Sequence, residues 1–248
     1  MGGVKTILIT GASSGYGLAT ALHFHSQGWK VVATMRTPRE DVLPLSDRIR
    51  IVQLDVTDPD SVTAAFAAAG PIDVLVNNAG IGSIGVVEAM SMDKARELFE
   101  TNTFAVMATT KAVITQFRQR RSGVVVNVSS SVVLGAMPLT AMYKASKMAT
   151  EGFTASLALE LAPFGVQAKL VQPGCPTTQF SANAGDLSDV VPDAYSEFAA
   201  PIIEGFTAQG DVTTPQDVAG AVWRAVHDTT GTLRFPAGPD AVALAQAR

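Results

Sequence analysis

The sequence predicts an α/β fold, a doubly wound parallel sheet in a single domain with helices on both faces. Three observations predict it. Short apolar runs alternate with longer helical ones along the whole chain. The apolar runs are continuous, as in KTILIT (residues 5–10) and GVVVNV (residues 123–128), which is the pattern of strands covered on both sides. No linker, repeat or low-complexity block divides the 248 residues, and that length suits one large domain.

Each element follows from the local pattern. Residues 5–10 are rich in β-branched side chains and read as the first strand. Residues 15–27 follow as a helix and 29–34 as a second strand. Residues 50–54 (RIVQL) form a third. Residues 59–69 are alanine-rich and helical, with Asp58 as the capping residue. Residues 72–76 (IDVLV) are the fourth strand. A long helical pattern begins after Ser91 and runs towards Arg121. Residues 123–128 are strand five, about 140–162 a helix and 166–171 strand six. Residues 180–210 read as irregular, with scattered aromatics. Residues 215–228 form a helix with proline near its start. Residues 232–235 are the last strand, and a short helix follows.

Composition excludes several classes. Hydrophobic residues make up 47% of the chain, enough to fill a core, and the net charge is −4. A mildly acidic chain offers no attraction to nucleic acid or anionic membrane. Cys175 is the single cysteine, so no intrachain disulfide forms, which fits a reducing compartment. His23 and His25 point to different sides of a helix, so no metal site is expected. The N-terminus enters a strand with no leader pattern, and no run of 18 apolar residues occurs. A cytoplasmic protein is the expectation.

Ligands of doubly wound sheets sit beyond the carboxyl ends of the strands, and the informative residues stand there. After the first strand comes TGASSGYG, residues 10–17. Glycines at a strand-to-helix turn let backbone approach a pyrophosphate, and the helix N-terminus offers free N–H groups. The spacing is G-x3-G-x-G rather than G-x-G-x-x-G, and alone it also fits a plain turn. The second strand ends in VVATMRTPRE, residues 31–40. Dinucleotide-binding units carry an acid near this place to hold the ribose hydroxyls. Here Met35 and Arg36 stand instead.

Tyr143 and Lys147 lie four apart in a predicted helix and share a face. A free phenol, with a pKa near ~10, is a poor base at neutral pH. A nearby ammonium favours the phenolate. Such a tyrosine gives a proton to a carbonyl oxygen during reduction, or takes one from an alcohol during oxidation. Serines 129–131 end strand five, where a hydroxyl can bond a substrate oxygen. Asn102, a weak helix former, sits inside the long helical pattern.

TGASSGYG, Asn77-Asn78-Ala79-Gly80, Tyr143-x3-Lys147 and Pro173-Gly174 occur in order across the chain. Together they resemble the short-chain dehydrogenase/reductase family. The likeness is nearest to its hydroxysteroid- and retinol-dehydrogenase-like branch, as is the tail LRFPAGPDA. The resemblance implies a Rossmann-type domain that binds a nicotinamide dinucleotide. It implies cofactor contacts at the turn from Gly11, Ser13, Ser14, Gly15, Tyr16 and Gly17. Asp55, Val56, Asn78, Ala79 and Gly80 are implied on the adenine side, and Tyr143, Lys147, Pro173, Gly174 and Thr178 at the nicotinamide. It also implies a catalytic serine 13 residues before the tyrosine, hence Ser130, and an asparagine, Asn102, that distorts its helix and holds a water near the lysine. An arginine at the place of Arg36 holds the 2′-phosphate in similar members, helped by Ser13, so NADP(H) is expected over NAD(H). Arg39 is an alternative partner for that phosphate. The two long helices are the family's usual surface for a homodimer or homotetramer.

Two departures stand out. Position 176 is usually a Val or Ile whose N–H meets the carboxamide, and Pro176 has none. Val133 replaces a common glycine. Cys175, without a histidine nearby in sequence, reads as a small pocket-lining residue. Substrate contacts are expected from Val132, Leu134, Met137, Pro138 and Leu139, and from a lid over about 179–210 with Phe180, Tyr195, Phe198 and Phe206. Both segments lack Lys and Arg, which favours a small hydrophobic ketone, aldehyde or secondary alcohol. Two other readings remain open: a regulatory NAD(P)-binding protein without turnover, and an isomerase or dehydratase on the same scaffold.

Overall fold

The computed structural model describes residues 3–175, 190–207 and 213–247. Seven parallel strands form one sheet in the order β3-β2-β1-β4-β5-β6-β7. They are β1 (Thr6–Ile9), β2 (Lys30–Met35), β3 (Ile49–Gln53), β4 (Val74–Asn77), β5 (Gly123–Val128), β6 (Val166–Pro173) and β7 (Arg234–Ala237). The predicted strands stand within about two residues of these, the last one shifted towards the C-terminus. The order reverses between β1 and β4, whose register pairs Ile7 with Val74 and Ile9 with Val76. A crevice opens at such a reversal, because the two crossovers leave in opposite directions.

One face of the sheet is covered by α1 (Gly15–Ser26) and α7 (Pro215–His227). Phe24, Trp29, Val218 and Val222 pack there against Ile7, Ile9, Val31 and Val126. The other face is covered by α4 (Ala105–Arg120) and α5 (Ala141–Leu161), with α2 (Pro59–Ala69) beside them. Phe117, Val113, Leu157 and Leu161 pack there against Leu8, Leu75 and Val125. Alternate residues of one strand therefore serve opposite cores, which explains the continuous apolar runs. Asp58 caps α2 by accepting the Asp60 N–H at 2.9 Å, as its sequence position predicts.

Two elements differ from the sequence reading. The pattern after Ser91 is not one helix. It is α3 (Met92–Phe99), a π-helical turn (Glu100–Phe104), then α4. Within the segment read as irregular lies α6 (Ser196–Thr207), with Pro201 inside it. Proline and Gly205 weigh against a helix there. The apolar face of α6 outweighs them: Ala199, Ile202 and Ile203 pack on Ile84, Val86 and Leu139. Tertiary burial commonly decides short helices in this way. A short helix, α8 (Pro239–Gln246), ends the described chain.

Between the sheet and the α4–α5 layer runs a buried polar chain. Asn77 Nδ2 donates to Asn127 Oδ1 at 2.9 Å and to Thr110 Oγ1 at 3.1 Å. Thr109 donates to Asn77 Oδ1 at 2.7 Å, and Asn127 Nδ2 donates to Thr154 at 2.8 Å. Asn77 and Asn127 are register partners on β4 and β5. Their amides thus tie the sheet's centre to both helices where the strands end. Asn127→Ala leaves the Asn77 amide and the Thr154 hydroxyl short of a buried partner. It is expected to lower the unfolding free energy by about 2–4 kcal/mol, read as a lower guanidinium midpoint.

Candidate active site

The turn after β1 is built by close backbone approach. Gly11 has φ 68°, and a Cβ there would lie 2.9 Å from the Ala79 Cα. A Cβ on Gly17 would lie 2.3 Å from the Gly11 carbonyl oxygen and 2.5 Å from Asn78 Nδ2. Both positions therefore require glycine. Asn78 fastens the turn by donating to the Thr10 and Gly11 carbonyls at 2.9 and 3.1 Å. Thr10 returns two bonds, its hydroxyl accepting the Asn78 and Ala79 N–H groups at 3.0 Å.

Gly15, with φ 53°, faces open space at the start of α1. Ser14 caps that helix without a side-chain hydrogen bond, and no acidic residue stands in its first turn. The N–H groups there are thus left for an anion. These features fit a dinucleotide pyrophosphate: a glycine cradle with room for it, and an uncapped helix end facing the cleft.

The cleft has a volume of about 1200 Å³, above the ~300–1,000 Å³ of most small-molecule pockets. At one end it is lined by Arg36, Arg39, Asp55 and Val56, and at the other by Ser130, Tyr143, Lys147 and Cys175. Ser13, Ser14, Gly15, Tyr16, Asn78, Ala79 and Gly80 lie along it, and Pro173 and Gly174 close its far wall. The predicted residues therefore converge from six strand ends. Gly17 is buried under the turn and acts through its missing side chain. Pro176, Thr178 and Phe180 lie outside the described residues, as does the side chain of Phe206.

The end lined by Arg36 and Arg39 separates the two arginines. Arg39 pairs with Asp41 at 2.9 Å. Arg36 is exposed and has no salt bridge among the described residues. Asp55 is held below the usual carboxylate range, first by bonds from the Thr57 hydroxyl and N–H, with a smaller contribution from the Arg36 charge.

At the other end, Ser130 stands at the β5 exit, starting a short 3-10 turn (Ser131–Val133). Its hydroxyl accepts the Val132 N–H at 3.2 Å, and Ser130 shares this end of the cleft with the Tyr143 phenol. The pKa of Tyr143 is raised, chiefly by burial, while the Ser130 hydroxyl pulls it down. The net shift is therefore opposite to the lowering expected from the sequence, because burial dominates. Lys147 Nζ is spent on the Val128 carbonyl, 3.0 Å away. Burial pushes Lys147 itself down to about 8.

Asn102 lies in the π-helical turn, fully buried. Its Oδ1 accepts the Ile81 N–H at 2.9 Å, and its Nδ2 donates to the Ile81 carbonyl at 2.9 Å and to Ser146 at 3.1 Å. A Cβ on Gly80 would sit 3.1 Å from Asn102 Oδ1 and 3.4 Å from Lys147 Nζ. Gly80 thus keeps the amide and the ammonium side by side. A second tyrosine, Tyr16, has a buried hydroxyl without a hydrogen-bond partner among the described residues. Burial raises its pKa above that of an ordinary phenol, so it stays protonated.

The substrate side is partly as predicted. Val132 and Met137 line the cleft and pack with Val133, Leu134 and Tyr143. Leu139 instead joins the cluster under α6, at φ 62°, and Pro138 is exposed. Tyr195 packs in that same cluster and donates to Glu88 at 2.8 Å, and Phe198 is exposed. Sequence reasoning missed Arg96, Glu97 and Glu100, which bring charge to the cleft from α3 and the π turn. Arg96 pairs with Asp93 and Glu97 with Lys94 at i, i+3 spacing, a pattern indistinguishable in sequence from an ordinary solvated face.

The architecture and the glycine cradle define a nicotinamide-dinucleotide-binding α/β protein. Residues 5–188 match the short chain dehydrogenase family model. The chain is 37% identical to an uncharacterised oxidoreductase of Bacillus subtilis, over 94% of this chain and 89% of that one. It is 34% identical to retinol dehydrogenase 8 of Bos taurus, over 93% and 80% respectively. A short-chain dehydrogenase from Streptomyces avermitilis superimposes with a TM-score of 0.86 at 32% identity, covering 100% of this chain and 92% of that one. One from Burkholderia cenocepacia, solved with NADP, gives 0.79 at 25%, covering 98% and 92%. The protein belongs to the short-chain dehydrogenase family. Among the described residues there is no cluster able to hold a metal and no helix long and apolar enough to cross a membrane.

Lys147→Met is expected to raise thermal stability at pH 7. There the lysine is charged in both states, and only the folded one bears the burial cost, at most about 3 kcal/mol. Between about 8 and the ordinary 10.5 the unfolded chain holds the extra proton, so wild-type stability rises with pH across that window. The advantage of the variant should therefore shrink from pH 7 to pH 10 in paired melts.

Proposed function

We propose that this protein is an NADP(H)-dependent oxidoreductase that reduces small hydrophobic ketones or aldehydes, or oxidises the matching secondary alcohols. The observation that carries the reading is the Ser130–Tyr143 hydroxyl pair at one end of a glycine-cradled cleft whose other end holds Arg36.

Bound NADPH supplies the hydride that the carbonyl carbon receives. Tyr143 gives its proton to the carbonyl oxygen, and Ser130 holds that oxygen by a hydrogen bond. Burial keeps the phenol protonated before the step, the form that a reduction consumes. The charge that then appears on the phenolate is what the Lys147 ammonium, one helical turn along α5, stabilises. Val132 and Met137 supply apolar contact and keep water from the reacting atoms. Arg36 pairs with a 2′-phosphate by charge-assisted hydrogen bonds, where an acid would repel it. The NADP-bound relative and the retinol-dehydrogenase likeness support the cofactor and the apolar substrate class. A lid over about 179–210, a homodimer or homotetramer built on α4 and α5, and a cytoplasmic setting complete the reading.

Tyr143→Phe should lower turnover by about 10²–10⁴-fold and leave NADPH affinity within about threefold, measured by nicotinamide absorbance and by fluorescence titration over a carbonyl panel. Product without a change in nicotinamide absorbance would favour an isomerase or dehydratase. A wild type that binds cofactor but turns over nothing would favour a regulatory protein. Arg36→Ala should cut the NADPH-over-NADH affinity ratio by about 10-fold or more, the worth of a charge-assisted bond. An unchanged ratio would sink the phosphate role.

A further inference from the structure

The reactive-end wall of the cleft is tied to the C-terminal helix by the Asp240 carboxylate. Asp240 stands in the first turn of α8, after Gly238 (φ 91°) and Pro239. Its Oδ2 accepts the Cys175 N–H at 2.7 Å, and its Oδ1 lies 2.7 Å from the Thr213 hydroxyl. That hydroxyl is also 3.0 Å from the Ala237 carbonyl. It has one proton to give, and the shorter, charged acceptor is the stronger claimant. The Thr213 N–H donates to the Cys175 carbonyl at 3.0 Å, and the Gly174 N–H to the Ala237 carbonyl at 3.0 Å.

The carboxylate also lies flat against Gly174. A Cβ there would meet Asp240 Oδ1 at 2.0 Å, so glycine at 174 is required by the acid at 240. A Cβ on Gly238 would meet the Thr213 hydroxyl oxygen at 1.9 Å. Gly174, Cys175 and Thr213 all line the cleft, while Asp240 does not. Its bonds therefore fix the shape of that wall from behind.

We propose that Asp240 is a positioning residue for the nicotinamide half of the cofactor. Its carboxylate sets the Gly174–Cys175 backbone against which the ring rests opposite Tyr143. This rests on the nicotinamide reading above. It makes no claim on the adenine end, which Asp240 does not approach.

The experiment compares two ligands by titration: NADP⁺, and 2′-phospho-ADP-ribose, which is the same molecule without the nicotinamide ring. Asp240→Ala is expected to weaken NADP⁺ by about 10-fold and leave the ringless ligand within about twofold. It should also lower kcat more than it raises the KM for the carbonyl substrate. Asp240→Asn should recover most of the loss, because its amide can accept the Cys175 N–H and donate to the Thr213 oxygen. Thr213→Val, which removes one arm, gives the same comparison if the alanine variant does not fold. Equal weakening of both ligands, or no weakening of NADP⁺, would overturn the proposal. Wild type that binds neither ligand would overturn the cofactor reading itself, a distinct result.

Discussion

Contact between the turn after β1 and the exit of β4 is the constraint on which the site depends. Gly11 touches Ala79, and Gly17 lies under the Gly11 carbonyl, with distances that leave no room for a Cβ. The Thr10–Asn78 bonds lock the two strand ends together. The turn is thereby pressed down against the sheet, and α1 starts at the strand ends. Its uncapped N–H groups face the crevice at the reversal of strand order. A bulkier residue at either glycine would lift the turn into the space a dinucleotide needs. The same contact sets Gly80 beside Asn102 and Lys147, so the glycine turn and these two buried side chains share one foundation.

Burial governs the chemistry at the far end. The phenol of Tyr143 and the ammonium of Lys147 are both taken from water, and each is pushed towards its neutral form. Burial keeps the phenol protonated and makes loss of its proton costlier, a cost that a neighbouring ammonium offsets. Stability is given up for this, since a buried ammonium held by one carbonyl is a poor core residue. The polar chain from Asn77 to Thr154 supports the strand ends and α5 around that buried group.

The sheet was legible in the sequence because parallel strands buried on both faces leave uninterrupted apolar runs. The cradle was legible because close approach demands glycine at fixed spacing. Tyr143 and Lys147 could be singled out from their spacing and Ser130 from the family resemblance, but their electrostatics could not, since burial depends on elements far along the chain. Asn77 and Asn127 look like interchangeable polar residues until the β4–β5 register sets them side by side. Asp240 is invisible for the same reason: its partners are Cys175 and Thr213. α6 contradicts its own proline and glycine, and only its packing on Ile84 and Leu139 explains it. The π turn leaves no mark in composition beyond an asparagine.

That turn is also a phase shift. Each residue advances an α-helix by about 100°, and a π turn holds one residue more than the α-helical path would. Everything in α4 is therefore rotated by about a quarter-turn from where α3 would have sent it. The rotation lets Leu98 on α3 and Val113 and Phe117 on α4 all be buried, while Asn102 is turned inward to Ile81 and Ser146. Excising one residue between Glu100 and Phe104 would heal the helix and misalign one half of it. In the language of sequence change, this short stretch is closed to insertions and deletions, and its length is constrained as tightly as its buried asparagine.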